Sequence, residues 1–368
     1  MLLKVILKKS YDLMGSTWGF LGLIFVLLFY SITAIIRIFW SPIEYGMWGM
    51  AIIILCILVY RRMPNNLSSR VSRIENQVSN QKYEKSLKEL DKILSKKVPK
   101  LKGNKKNKIY YKCIFSKALC LLNLGLSHGD LEKLKESITL FEENIKIAFR
   151  KNISKNVPIL MLHLGLCHYY LGYWENNEES LEEAIDIFKN ALEEKNIEDD
   201  NFNISIYSRI GYTYEILSSI YSKKEHLQKS LESLDYAYEL SCKINSLEDQ
   251  AYINNRRGSI LRKLYEINND KATKDKAIEM LNNSIFYCSN NINKHTKRFF
   301  MDYYVSVKFH IGKAYFDLFI LDKLEDDLKK SREALTEAST YYTKEKSYYY
   351  NKQINEMLDY LDKSPIII

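Results

Sequence analysis

Arg256 and Arg257 stand side by side in "NNRRGSILRK". Neighbouring guanidiniums can hold a carboxylate or a phosphate through paired, charge-assisted hydrogen bonds. This is anion-binding chemistry, and no other polar signal in the chain is as suggestive. The histidines, His128, His163, His168, His226, His295 and His310, offer less. His163 and His168 are five apart, so on a helix they diverge by about 140° and make a poor ligand pair. Cys167 and His168 are adjacent and face two directions. No nucleophile elbow, phosphate-cradling glycine loop, HExxH or dinucleotide fingerprint occurs. Acidic runs such as "ENNEESLEE" fall at expected helix starts, where carboxylates favour the macrodipole. The chain reads as non-enzymatic, with no metal and no cofactor.

The elements that must position these residues are helices. Gly is scarce (13) and Pro scarcer (5) in 368 residues, which disfavours a turn-rich β fold. Six cysteines form no CxxC pair and fall in apolar or helical patterns, as buried free thiols of a reducing compartment do. The net charge of +9 is unevenly spread: residues 61–108 hold 15 Lys/Arg against 4 Asp/Glu, and residues 109–368 hold 35 against 39. A near-neutral body therefore carries one basic segment, and the overall charge does not argue for nucleic-acid binding.

The segment before that basic stretch reads as membrane. Trp18 to Ile36 is free of charge and long enough to span, with Trp18, Phe39 and Trp40 at interfacial positions. "SPIEYG" links it to a second apolar run, Met47 to Tyr60. A helical hairpin is expected within residues 1–62, its helices at about 17–39 and 43–60. A cleaved signal peptide fits poorly, because no small-residue cleavage site follows and a second apolar run does. Lys4, Lys8 and Lys9 before the hairpin, and Arg61, Arg62, Arg70 and Arg73 after it, place both termini in the cytoplasm of a multi-pass inner-membrane protein. Gly15, Gly19 and Gly22 form a small-residue face suited to close helix packing, within the hairpin or between protomers of a homo-oligomer. Were the hairpins to line a pore, Ser31 and Thr33 would be its polar residues, with Arg37 at the far end.

Residues 63–108 read as a basic juxtamembrane helix and linker. Leu67, Val71, Ile74 and Val78 follow 4-3-4 spacing, a short heptad-like seam or a face that packs on the next helix. Lys100, Lys102, Lys105, Lys106 and Lys108 flank Pro99 and Gly103, so a loop is expected there. Attraction to anionic inner-leaflet lipid explains these charges, at ~1 kcal/mol each near the surface. An oligonucleotide could use the same lysines, but nothing requires it.

The rest of the chain repeats. Gly125, Gly165, Gly211, Gly258 and Gly312 sit in similar contexts, each followed by a second motif. In the last four units a small residue lies 19 after the glycine (Ala184, Ser230, Ala277, Ser331), and another lies seven further on (Ala191, Ala237, Ser284, Ala338). Phe188, Leu234, Leu281 and Leu335 stand between them. This is the pattern of a helical hairpin: glycine on one helix, a small-residue groove on the other, a bulky side chain filling the gap. Such pairs must stack to bury their apolar faces.

The pattern resembles the tetratricopeptide repeat. Gly125, Ser137, Phe141 and Asn144 match the family's spacing without a gap, although Asn144 is not small. The other units match if seven residues, two helical turns, are added after the glycine. The family's closing proline is missing, and Arg257 stands where an apolar residue usually precedes the glycine. The units look like long, divergent members, as in large bacterial signalling and defence proteins. The expected fold is all-α: a transmembrane hairpin, then a tetratricopeptide-like α-solenoid of about five long pairs over residues 109–345, then a capping helix and tail over 346–368. The resemblance implies a scaffold that holds a peptide or protein partner in a groove lined by the first helices. Polar and aromatic positions there, His168, Tyr169, Arg209, Tyr212, Arg256, Arg257, Lys308 and Lys313, are the candidate contacts. The expected function is a membrane-anchored adaptor or sensor. The alternative is an oligomeric membrane effector or ion channel, of the kind used in anti-phage defence, gated by a ligand or partner on the solenoid.

Overall fold

Five times the chain reverses through the same two-residue turn. The first residue is left-handed: Gly129 (φ +67°), Asn176 (+52°), Ser222 (+53°), Asn269 (+53°) and Lys323 (+57°). The second is extended and begins a new helix: Asp130, Asn177, Lys223, Asp270 and Leu324. Three of these cap it with a side chain, as when Asp130 accepts from the Lys133 amide at 3.1 Å, Asn177 from Ser180 at 3.0 Å and Asp270 from Thr273 at 2.8 Å. A left-handed stop followed by an N-cap ends one helix and starts the next within two residues.

The structure is a computed structural model that describes residues 67–364, apart from 152–155, 195–198, 293–296, 298–300 and 344–345. The chain divides after Ser69, and the repeats all lie in the larger unit, Arg70–Ile368. The expected hairpin, with Gly15, Gly19, Gly22, Ser31, Thr33 and Arg37, lies outside the described residues.

Among the described residues there are thirteen α-helices. Two precede the repeat: α1 (Leu67–Ser79) and α2 (Tyr83–Lys96). The repeat pairs α3 (Gly103–His128) with α4 (Leu131–Arg150), and α5 (Val157–Glu175) with α6 (Glu178–Glu193). It then pairs α7 (Asp200–Tyr221) with α8 (Lys224–Lys243), α9 (Leu247–Asn268) with α10 (Lys271–Asn290), and α11 (Met301–Asp322) with α12 (Glu325–Ser339). Helix α13 (Tyr348–Lys363) ends it. Successive first helices touch one another, α3 to α5 to α7 to α9 to α11, so they form the inner layer of a superhelix.

The register differs from expectation in the first unit. Ser137 Oγ donates to the carbonyl of Ala118 at 2.8 Å, as Ser230 does to Gly211 at 2.6 Å and Ser331 to Gly312 at 2.9 Å, always across 19 residues. Ala118, not Gly125, therefore holds the glycine position. The left-handed turn residue follows eleven positions later in all five units. The gap-free match at Gly125 is a coincidence of sequence, and all five pairs share the long hairpin. Where glycine does stand, its partner comes close: a Cβ on Gly165 would lie 2.5 Å from the Phe188 ring, and one on Gly258 2.6 Å from Leu281 Cγ.

Two further expectations, both in the basic segment, are corrected. Helix α3 opens at Gly103, so Lys105, Lys106 and Lys108 belong to a helix rather than a loop, and the expected break at 108 cuts through it. Lys100 closes a 3-10 turn, and Lys102 occupies the N-cap position of α3 without a side-chain bond to it. In α1, Val71, Ile74 and Val78 are buried, while Arg73 pairs with Glu89 of α2 (3.1 Å) and Glu75 with Lys112 of α3 (2.9 Å). One described stretch, Lys106–His128, is long and apolar enough to cross a membrane, but it is mostly buried as the core of α3.

Helix α13 does more than cap an end. It packs on α12 and α11 and also reaches α3 in the first pair, so it crosses the inner layer from last unit to first. Tyr348 lies against Gly129 and edge-on to Trp174 (5.7 Å between ring centres). At its other end, Arg332 of α12 donates to the Leu361 carbonyl at 3.1 Å.

Candidate functional site

The inner layer gathers one polar residue per helical turn. Arg209, Tyr212 and Glu215 follow one another on α7, Arg256, Ser259 and Lys263 on α9, and His310, Lys313 and Asp317 on α11. Spacings of three and four put each set on one stripe, and stacking of the pairs lays the stripes side by side.

The stripes are joined by ion pairs. Glu215 accepts from Arg256 at 3.2 Å and from Lys263 at 3.0 Å. Asp317 accepts from Lys313 at 3.1 Å and from Arg262 at 2.8 Å, and Lys313 also donates to Ser259 at 2.7 Å. Arg262 in addition reaches Glu266 at 2.5 Å. Arg256 lies over the Tyr212 ring (4.7 Å), and Arg209 stands off it at 5.9 Å. No carboxylate pairs with Arg209 among the described residues; its neighbours are tyrosines.

The field of this cluster is positive. Burial opposes ionisation of Glu215, yet Lys263, Arg256 and Lys313 hold its carboxyl well below the usual range. Burial, helped by the charges of Arg256 and Lys313, pushes His310 down to about 3. Burial also lowers Lys313, with Arg256 acting in the same direction against the pull of Asp317.

Helix α13 covers this face with aromatic side chains. Tyr349 makes edge contacts with Tyr170 (5.3 Å) and Tyr173 (5.5 Å). Tyr350 meets Phe309 edge-on at 5.1 Å and stacks on Tyr342 at 4.5 Å. Lys352 lies over Tyr173, and Tyr360 edge-on to Phe316. A cavity of about 310 Å³ remains between α13 and helices α7, α9 and α11.

Of the groove residues expected from sequence, Tyr169, Arg209, Tyr212, Arg256 and Lys313 are brought together here. Three point elsewhere. Arg257 turns outward to Asp235 (2.6 Å) and the Tyr238 ring, so the two adjacent guanidiniums do not act as one clamp. Consecutive residues on a helix lie about 100° apart, which separates them. His168 lies 3.3 Å from Glu183 of α6, on the packing side, and burial lowers its pKa. Lys308 pairs with Glu337 of α12 at 3.1 Å. Sequence reading missed Glu215, Lys263, Asp317 and the Tyr349 cover. The first three lie three to seven residues from recognised positions, so extending each stripe by a turn or two would have found them. Lys102, Lys106 and Lys108 are exposed at the start of α3, away from this face, and Lys108 borders a separate 640 Å³ pocket with Tyr111 and Phe115.

The geometry defines the class: an all-α helical-repeat solenoid with its inner face filled by its own last helix. No family model matches the chain, and no curated protein does. Among solved structures, it is similar to the kinesin light chain tetratricopeptide-like repeats of Podosopora anserina, at 11% identity and a TM-score of 0.37 over 61% of this chain and 99% of that one. A point-substituted form of the same repeats gives 10% identity and 0.38, over 60% of this chain and 98% of that one.

Proposed function

We propose that this chain is a membrane-anchored, non-enzymatic scaffold whose inner face receives a helical segment of a protein partner. The observation that carries the reading is the seat of α13. A groove that accepts one amphipathic helix through inserted aromatics has the shape and chemistry for another. In the resting chain α13 is the occupant, and a partner helix replaces it. The N-terminal apolar hairpin, retained with both termini cytoplasmic, would hold this groove at the inner membrane surface, with the lysines from Lys100 to Lys108 near anionic lipid.

The test places a photo-crosslinking residue at Tyr173, beside Tyr349, in the full chain expressed in cells. The expected products are a cis adduct to α13 and a trans adduct to one defined protein that grows when Tyr349→Ala loosens α13. Fractionation of the same cells should find the chain with membranes, and a form lacking residues 1–62 in the soluble pool. A cis adduct alone, unchanged by Tyr349→Ala, would overturn the partner reading. A stable detergent oligomer that conducts ions in liposomes would replace the scaffold with a channel.

A further inference from the structure

We propose that the cavity between α13 and the inner face is a binding site for a small phosphate-bearing anion. The inference does not depend on the groove taking a protein partner.

Charge balance comes first. Four cations line the cavity: Arg256, Arg262, Lys263 and Lys313. Only two buried carboxylates, Glu215 and Asp317, answer them. The other two acids nearby, Glu266 beside Arg262 and Glu356 on the α13 wall, are exposed to water. The Arg256, Arg262 and Lys313 side chains are each only 11–12% exposed, so the cations exceed the buried acids by two where water is scarce. Charge out of water is costly, and folded chains place an opposite charge beside it. The chain places no further buried acid here, so a diffusible anion is the natural counter-charge.

Donor supply comes second. Glu215 is shared by Arg256 and Lys263, and each keeps protons free to donate. Arg256 lines the cavity and gives one Nη1 hydrogen bond to Glu215 out of five guanidinium donors. Lys313 is held in place by Ser259 and Asp317, so its position is fixed before a ligand arrives. Gln353 adds a neutral donor from the α13 side.

Size comes third. About 310 Å³ is at the lower end of small-molecule sites and far above what one ion needs. Tyr173, Tyr349 and Phe316 give the cavity aromatic walls, which suits a phosphate carried on a flat organic group. Two excess charges match a phosphate monoester, which carries nearly two negative charges at neutral pH. A ligand here would touch both α9 and α13 and so hold α13 in its seat.

The experiment titrates the full-length chain in detergent with inorganic phosphate and with pyrophosphate at constant ionic strength, by calorimetry and by amide exchange. One-to-one binding is expected, with slower exchange across α13. Lys263→Met keeps the Glu215–Arg256 pair and should weaken binding at least tenfold, ~1.4 kcal/mol. Gln353→Glu, which adds an acid at the α13 wall without touching a buried ion pair, should do the same even where Lys263→Met disturbs folding. Lys189→Met, on the exposed side of α6, should change nothing. No heat at ~10 mM of either anion would overturn the site. So would binding that neither Lys263→Met nor Gln353→Glu weakens.

Discussion

The Tyr349 hydroxyl lies 3.4 Å from the Tyr169 hydroxyl, across 180 residues of sequence. One tyrosine belongs to the last helix and the other to the second pair, so this contact pins the end of the chain near the start of the superhelix. Tyr169 is almost fully buried, and burial raises its pKa well above the usual range, with the neighbouring Tyr349 adding to the effect. The two hydroxyls face each other so that either can donate to the other. Removing the ring in Tyr349→Ala also removes the edge contacts to Tyr170 and Tyr173. A cost of about 3 kcal/mol is expected, concentrated on α13. Amide exchange of residues 351–362 should speed up, while that of α7 and α9 stays slow. Equal acceleration throughout would mean that α13 is not a separable element.

Gly258 tests the repeat geometry. Alanine is the better helix former by about 1 kcal/mol, so an exposed site would gain from Gly258→Ala. Here the new Cβ would lie 2.6 Å from Leu281 Cγ, inside van der Waals contact. Either the Leu281 side chain or the α9–α10 pair must shift to make room, and overpacking of this kind costs about 1–3 kcal/mol. The net prediction is a loss of ~1 kcal/mol in urea unfolding, reversed by pairing Gly258→Ala with Leu281→Ala relative to Leu281→Ala alone. A plain gain in stability would show that the helices are not held at glycine distance.

Much of the fold is legible in the sequence, and the misses have physical causes. Bulky and small residues at fixed offsets reveal helix pairs because one helix cannot hide its apolar face alone. The wrong glycine in the first unit arises because Ala118 stands where the other units have glycine, and Gly125, seven residues on and close against Leu134, is the first glycine after it. The turn dipeptides Gly129-Asp130, Asn176-Asn177 and Asn269-Asp270 carry the true register and could have fixed it. The seat of α13 is not legible. Its pattern, with Ile354 and Leu361 buried and Tyr349 inserted, says only that the helix has an apolar side. Which surface meets that side depends on the curvature summed over five units.

Asp317 tests the buried ion pairs. It is 2% exposed and serves both Lys313 and Arg262. Asp317→Leu leaves two buried cations short of a partner, and a loss of about 3–5 kcal/mol is expected. Adding Lys313→Met removes one stranded charge, so the double variant should recover at least ~1 kcal/mol of that loss. A double-mutant cycle in guanidinium would read the coupling directly. Strict additivity would mean that the two side chains do not interact.

Burial lowers the pKa of His163, His168, His226 and His310, and furthest at His163 and His310. Burial lowers His163 to about 4, and burial with the nearby Arg256 and Lys313 charges lowers His310 to about 3. Both are neutral in the folded chain, while the unfolded chain takes up a proton near the ordinary histidine value. Between that value and the depressed one, the unfolded state binds more protons, so stability falls as pH falls. Each group contributes up to ~1.4 kcal/mol per pH unit across its window. The decline should start near about pH 6.5, above the carboxylate range. Glu337 then joins at lower pH: burial opposes its ionisation, but bonds from Lys297, Tyr304 and Lys308 bring its carboxyl down to about 2. Its share is full above the ordinary glutamate value and is lost toward about 2. His163 stacks on Phe141 at 5.6 Å, with its Nδ1 buried and unbonded. His163→Phe keeps that stack and removes the titrating group. The variant should therefore lose less stability than the parent between about pH 6.5 and about 4, measured by urea unfolding at a series of pH values. Parallel curves would place the protonation elsewhere.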